Sequence, residues 1–245
     1  MLAANTLHDG RVASLPLCPS CKVRDLCLGQ GAGRIGLQQL DQAIERRFWL
    51  EPGDFLYHRG DPFTSLYAIR SGCLKSSLRN ATGREQVAGF HIKGDIVGVG
   101  GISTRNYILT LTALERSEIC EIHFDRLEEL AHRIPSVNHR LVEILARYQE
   151  RGYAVGLLLR EKSADARLAG FLLDFSRRLA ARDRDPASFK LPMSRSDLAS
   201  HLALNASTIS KAFARLNQRG IAQANGRVIE LTNVRGLQAV AANRA

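Results

Sequence analysis

Hydrophobic positions along the 245-residue chain change their period more than once. From about Trp49 to Phe124, short apolar runs such as Leu66–Ile69, Val87–Phe90 and Ile108–Leu114 stand between turn signals. Those signals are Pro52-Gly53-Asp54, Gly60-Asp61-Pro62, Ser71-Gly72, Thr82-Gly83, Gly94-Asp95 and Gly100-Gly101. Many short strands at such spacing predict a β-sandwich or small barrel. A short helix around Leu37–Arg47 is expected before it.

Over Asn138–Arg160 the period becomes helical. Leu141, Leu145, Tyr148, Gly152, Val155 and Leu159 alternate steps of four and three, the seam of a two-stranded coiled coil. A helix packed on its own domain is the other outcome of this pattern. Gly152 lies in the seam and Gly156 beside it, each about 1 kcal/mol worse than Ala inside a helix. A marginal dimer interface follows, one that Gly152→Leu would tighten.

Two helix-sized segments end the pattern. Ser194 caps a stretch that places Leu198, Ala199 and Leu202 on one face, and Asn205 caps a second that Gly220 ends. In the second, Ile209, Phe213 and Leu216 are expected inside, leaving Ser207, Ser210 and Lys211 outward on its first turns. Two helices with a tight break predict a helix-turn-helix, and Asn225-Gly226 between strand-like arms predicts a wing. Arg215, Arg219 and Arg227 are expected to touch phosphates, while Lys211, Ser210 and Ser207 are candidates for base edges. Plain helix solvation accounts equally well for each serine.

Charge supports a polyanionic partner. The chain carries 34 Lys+Arg against 24 Asp+Glu, net +10, and residues 161–245 hold 14 of the basic and 7 of the acidic groups. No apolar run approaches a membrane span and no secretory signal opens the chain, so a cytoplasmic protein without membrane contact is expected. Three of five cysteines, Cys18, Cys21 and Cys27, fall within ten residues in an arm closed by Gly29–Gly33. In a cytosolic chain such a knot points to metal or redox chemistry rather than a disulfide scaffold. A four-thiolate zinc site and a metal-free thiol-disulfide switch both remain open on this pattern. The histidines show no ligand or triad spacing, so no catalytic residues are assigned.

The order of parts resembles the CRP/FNR superfamily of bacterial transcription regulators, specifically its FNR branch. The resemblance rests on Cys18-Pro-Ser-Cys21-x5-Cys27, Ser65–Gly72, Gly83-x-Glu-Gln-x-x-Gly-Phe-His91, Gly94-Asp-Ile-Val-Gly98 and Thr208-Ile-Ser210. It implies an α+β chain: a cysteine-rich arm over 1–34 and a cyclic-nucleotide-binding-like β-barrel or jelly roll over 35–135. A dimerisation helix over 136–161 and a winged helix-turn-helix over 162–245 would follow. It also implies a [4Fe–4S] cluster on Cys18, Cys21, Cys27 and Cys120, with Cys73 left as a structural thiol. The resemblance further implies a homodimer, stable while the cluster survives oxygen, that binds double-stranded DNA at a palindromic operator. RNA polymerase would be contacted near Ala81–Glu85. Cyclic nucleotide is not expected, because Val99 and Tyr107-Ile108 stand where the sister branch has its carboxylate and its phosphate-binding Arg. The branch's recognition helix reads Glu-x-x-Ser-Arg, whereas Ser207, Ser210 and Lys211 stand here, so a related but different half-site is implied.

Overall fold

The computed structural model describes residues 17–80 and 83–243. The beginning of the arm, Ala81-Thr82 of the turn expected to meet RNA polymerase, and the last two residues lie outside these. The chain separates into two compact units, Met1–Leu74 with His91–Leu141, and Lys75–Phe90 with Val142–Ala245.

In the first unit, a 3-10 turn at Cys18–Ser20 leads to helix α1, Arg34–Gln42, which buries Leu37 and Leu40. The helix ends five residues short of the expected Arg47, because from Ile44 the apolar side chains alternate. Phe48 and Leu50 point inward and the segment Ile44–Leu50 becomes strand β1. The remaining strands are β2 Phe55–Tyr57, β3 Ser65–Ser71, β4 Cys73–Arg79, β5 Glu85–Ile92, β6 Ile96–Val97, β7 Thr110–Ala113 and β8 Ser117–His123, with a short helix α2 at Gly101–Thr104. They form two four-stranded sheets, in the orders β1-β8-β3-β6 and β2-β7-β4-β5. The expected β-roll is present. Strand β7 is shorter than the apolar run Ile108–Leu114, since Tyr107 turns inward before it and stacks on Tyr57 at 3.8 Å.

Register places the chemistry. Strand β8 is central in its sheet, and Cys120 sits opposite Arg47 on β1 and Ala68 on β3. The β3–β4 turn requires Gly72, whose φ is +89° and whose missing Cβ would lie 2.2 Å from the Ser117 hydroxyl. After β8 come α3, Phe124–Arg133, and α4, Pro135–Arg160, which opens on a proline whose missing N–H has no helical partner to lose.

The second unit is built on α5, Ala164–Ala180, capped by Ser163 and burying Leu168, Phe171, Leu172 and Phe175. Against it pack α7, Ala206–Gln218, and α8, Val234–Ala241, while α6, Arg195–His201, packs on α7. Strands β9 Ser188–Lys190, β10 Ala222–Asn225 and β11 Val228–Leu231 pair in the order β10-β11-β9. The outer part of the β4–β5 hairpin belongs here: Lys75 Nζ meets Asp197 at 2.8 Å, the Val87 amide donates to the Ser200 hydroxyl at 3.0 Å, and Arg178 donates to the Phe90 carbonyl at 2.8 Å. Among the described residues no helix is long and apolar enough to cross a membrane.

Candidate functional site

The reading head is assembled from local caps. Ser194 and Asp197 form a reciprocal capping box at the start of α6, the Asp197 amide donating to the Ser194 hydroxyl at 3.0 Å. Burial opposes the Asp197 charge, yet the Lys75 ammonium and the Ser194 hydroxyl and amide hold its carboxyl below the usual range. The helix stops at Ala203, which takes a left-handed φ of +52°, with the Leu204 amide donating back to the Ala199 carbonyl at 2.9 Å. Asn205 then caps α7 by accepting from the Thr208 amide at 2.7 Å. Ile209, Ala212, Phe213 and Leu216 are buried, as their spacing demands.

Ser207, Ser210 and Lys211 are exposed on the first turns of α7. The Ser207 hydroxyl donates to Asn205 Oδ1 at 2.7 Å and the Ser210 hydroxyl to the Ala206 carbonyl at 3.0 Å, so each serine keeps its oxygen as an acceptor. Arg215 is less free than its sequence position suggests. Its Nε donates to Asp165 at 2.8 Å in a two-point pairing that ties α7 to α5. The wing differs in one detail from expectation: Asn225 is the last paired residue, opposite Val228, and Gly226-Arg227 make the turn, with Gly226 at φ +59°.

A second group of side chains gathers around the cysteines. The Cys18 amide donates to Asp41 Oδ1 at 2.8 Å, and Asp41 also pairs with Arg47. Arg140 donates to the Leu26 and Cys27 carbonyls at 2.8 and 3.0 Å. Burial pushes the Cys120 thiol up to about 11, although Arg70 and Arg47 beside it favour the thiolate. Burial also raises Cys18, with Asp41, Cys27 and Cys120 adding to the effect. It raises Cys27 too, against the Gly29 amide; Cys21 adds to the rise and Arg140 opposes it. Cys21 bears on Cys120 in the same sense. Each of the four sulfurs therefore lies within electrostatic reach of another of the set, and none is in a disulfide. Among the described residues no three His, Cys, Asp or Glu side chains are disposed to hold a metal ion together.

Comparison with known proteins decides what carries these features. A cyclic nucleotide-binding domain matches residues 47–133 and a Crp-like helix-turn-helix domain matches 166–240. The transcriptional activator protein anr of Pseudomonas aeruginosa is 36% identical over 223 residues, covering 90% of this chain and 91% of its own length. The fumarate and nitrate reduction regulatory protein of Salmonella typhimurium is 36% identical over 224 residues, 91% of this chain and 90% of its own. The chain belongs to the CRP/FNR family. Among solved structures, FixK2 from Bradyrhizobium japonicum superposes with a TM-score of 0.73 at 29% identity, covering 79% of this chain and 96% of its own.

A CRP/FNR protein with a Crp-like helix-turn-helix is a DNA-binding transcription regulator, and regulators of this family are dimers. The α4 surface is consistent with that. Leu145, Tyr148 and Gly152 of the expected seam are exposed, whereas Leu141, Val155 and Leu159 are half-buried. Val142, Tyr153 and Leu157, at 56%, 65% and 63% exposure, extend the apolar band toward one flank, which a strict four-three count does not reveal. Sequence reasoning also missed the arginines Arg47, Arg70 and Arg140 around the thiols. Only Arg140 left a signal, as a charge spaced with Val137 and Ile144 on the inward face of α4. It missed Arg195 as well, whose guanidinium lies 3.6 Å from the Phe213 ring centre and donates to the Gly226 carbonyl.

Proposed function

We propose that this regulator senses oxygen through a [4Fe–4S] cluster held by Cys18, Cys21, Cys27 and Cys120, and activates transcription as a cytoplasmic homodimer on a palindromic operator when the cluster is intact. What supports this reading is the Cys18-x2-Cys21-x5-Cys27 spacing with Cys120 on the central strand β8, the likeness to anr and to the fumarate and nitrate reduction regulatory protein, and the guanidiniums of Arg47 and Arg70 near Cys120 and of Arg140 near Cys27. Four thiols are the donor set such a cluster needs, and neighbouring guanidiniums suit the thiolates that must form on loading. A bound cluster would supply an oxygen-labile crosslink between the arm and the roll. The chain's own residues do the rest. Asp41 accepts from the Cys18 amide, Arg140 holds the Leu26–Cys27 peptide, and β8 presents Cys120 from the centre of its sheet.

In the same reading, Leu141, Leu145, Tyr148, Gly152, Val155 and Leu159 face the second copy, with Val142 at the flank. Ser207, Ser210 and Lys211 meet base edges. Arg215 contributes by positioning α7 through Asp165, with its remaining Nη1 left for a phosphate. RNA polymerase is contacted at the hairpin turn that includes Arg84. In this reading cyclic nucleotide is not the signal, because Val99 and Tyr107-Ile108 stand where the sister branch has its carboxylate and its phosphate-binding Arg.

Purification without oxygen, with an absorption spectrum and iron and sulfide assays, tests the reading. Iron and sulfide near four per chain are expected for wild type. Near zero, with loss of dimer and operator binding, is expected when all four cysteines are replaced by serine. Zinc in place of iron, or oxidant response in iron-free protein, would transfer the site to the zinc or the thiol-disulfide alternative. Unchanged operator binding by the four-serine chain would end the proposal.

A further inference from the structure

Arg140 lies on the first turns of α4 and is only 3% exposed. A guanidinium so deep must find acceptors, since leaving a buried charge without partners is strongly unfavourable. Two of its acceptors are main-chain carbonyls of the thiol arm, Leu26 at 2.8 Å from Nη2 and Cys27 at 3.0 Å from Nε. The contact spans 113 residues of sequence, so nothing local enforces it. On helical spacing Arg140 shares the inward face with Val137, which is fully buried, while Val142 and Leu145 stand outward at 56% and 38% exposure. One short stretch of helix thus grips the arm on one side and presents the apolar band on the other.

We propose that Arg140 is the positioning residue through which the arm's state reaches α4: its two-point donation to the Leu26 and Cys27 carbonyls sets the beginning of the helix only while the arm is docked. When that peptide moves away, the guanidinium loses these two acceptors at a buried position, and the contacts it keeps set a different arrangement for the beginning of α4. Two arrangements of the helix start then differ in free energy by an amount the arm controls, which is what coupling requires. Lysine cannot reproduce the grip, because a single ammonium does not match two carbonyls in the fixed geometry of the guanidinium fork. The inference borrows from the proposed function only the agent that docks or frees the arm; the clamp itself is independent of it.

The test uses the full chain and its Arg140→Gln and Arg140→Lys variants, purified without oxygen. Amide hydrogen exchange is read in segments 22–30 and 136–145, beside iron content and the monomer–dimer equilibrium before and after air. The clamp predicts faster exchange in both segments together, and an air-dependent shift in dimer affinity that shrinks by roughly tenfold in Arg140→Gln. Arg140→Lys should fall between Arg140→Gln and wild type, and it carries the comparison if Arg140→Gln unfolds. Exchange that rises in α4 alone, or an undiminished air response in the variants, would overturn the proposal. Iron-free wild type would overturn the cluster reading by itself, and the paired exchange change would still decide the clamp.

Discussion

The helix-turn-helix adds local caps to its long-range ties, whereas the contacts around the cysteines are mainly tertiary. In the C-terminal unit, Asn205 caps the amide of Thr208 three residues on, Ser194 and Asp197 cap each other, and Arg195 reaches the wing turn 31 residues away. In the N-terminal unit, Cys120 meets Arg47 only through strand register, and Arg140 meets Cys27 across 113 residues. The reading head rests on apolar burial and satisfied helix ends, which persist without any ligand. Around the cysteines, Cys21 and Cys120 are buried and Cys18 and Cys27 partly so, and burial disfavours the thiolates of Cys18, Cys27 and Cys120. In the proposed function the nearby guanidiniums would suit thiolates formed on loading. Under the proposed function, a sensor built this way would concentrate its lability in one place and leave its output module stable.

The largest test of this division strikes the head's core. Phe213 is 5% exposed beneath the Arg195 guanidinium, so Phe213→Ala is expected to destabilise the C-terminal unit by about 3–5 kcal/mol. Urea unfolding followed by exchange in residues 195–240 measures the loss. Iron content and its lifetime in air should not move. A parallel loss of iron would break the comparison, since it would mean that the two regions stand or fall together.

That asymmetry also explains what the sequence could disclose. Ser194, Asn205 and Gly220 announce helix ends by local chemistry, and Ile209, Phe213 and Leu216 announce a buried face by spacing, so the head is legible almost residue by residue. Cys120 has no such signature: on its own strand it reads as one more inward residue, and only likeness to a family pointed to it. The sequence pattern puts Arg47 on a helix because the alternation beginning at Ile44 is short, and β1 is fixed by pairing with β8 rather than by propensity. Lys75 and Val87 read as ordinary strand residues, although they hold Asp197 and Ser200 of the head. Contacts decided by tertiary pairing leave little trace in a single chain.

A smaller effect sharpens the comparison through pH. His201 lies inside the head against Phe90 and Phe171, and burial holds its imidazole below the ordinary range; Arg178 acts in the same direction, the Val87 carbonyl and Asp174 in the other. The folded state keeps His201 neutral while the unfolded chain takes a proton near pH 6.5. Stability is therefore fully present above about pH 6.5 and declines as pH falls below it, by up to about 1.4 kcal/mol per unit until the folded group also titrates. Urea midpoints between pH 7.5 and 5.5 should show this slope, and His201→Leu should flatten it. A slope unchanged in His201→Leu would place the responsible group elsewhere.

The smallest effect concerns the break between the two helices of the head. Ala203 occupies the left-handed position that ends α6, φ +52°, where glycine is the usual residue. A side chain there costs about 1–2 kcal/mol, and replacing it with glycine returns part of that gain to the freer unfolded chain, about 0.4–1 kcal/mol. Ala203→Gly is therefore expected to stabilise the C-terminal unit by about 0.5 kcal/mol, seen as a small rise in the urea midpoint. Operator affinity should stay the same, because the Leu204 amide still closes the turn on Ala199 and Asn205 still caps α7. Loss of affinity with a raised midpoint would show that the strain at Ala203 aims the recognition helix, and that the head, too, holds a local tension for its function.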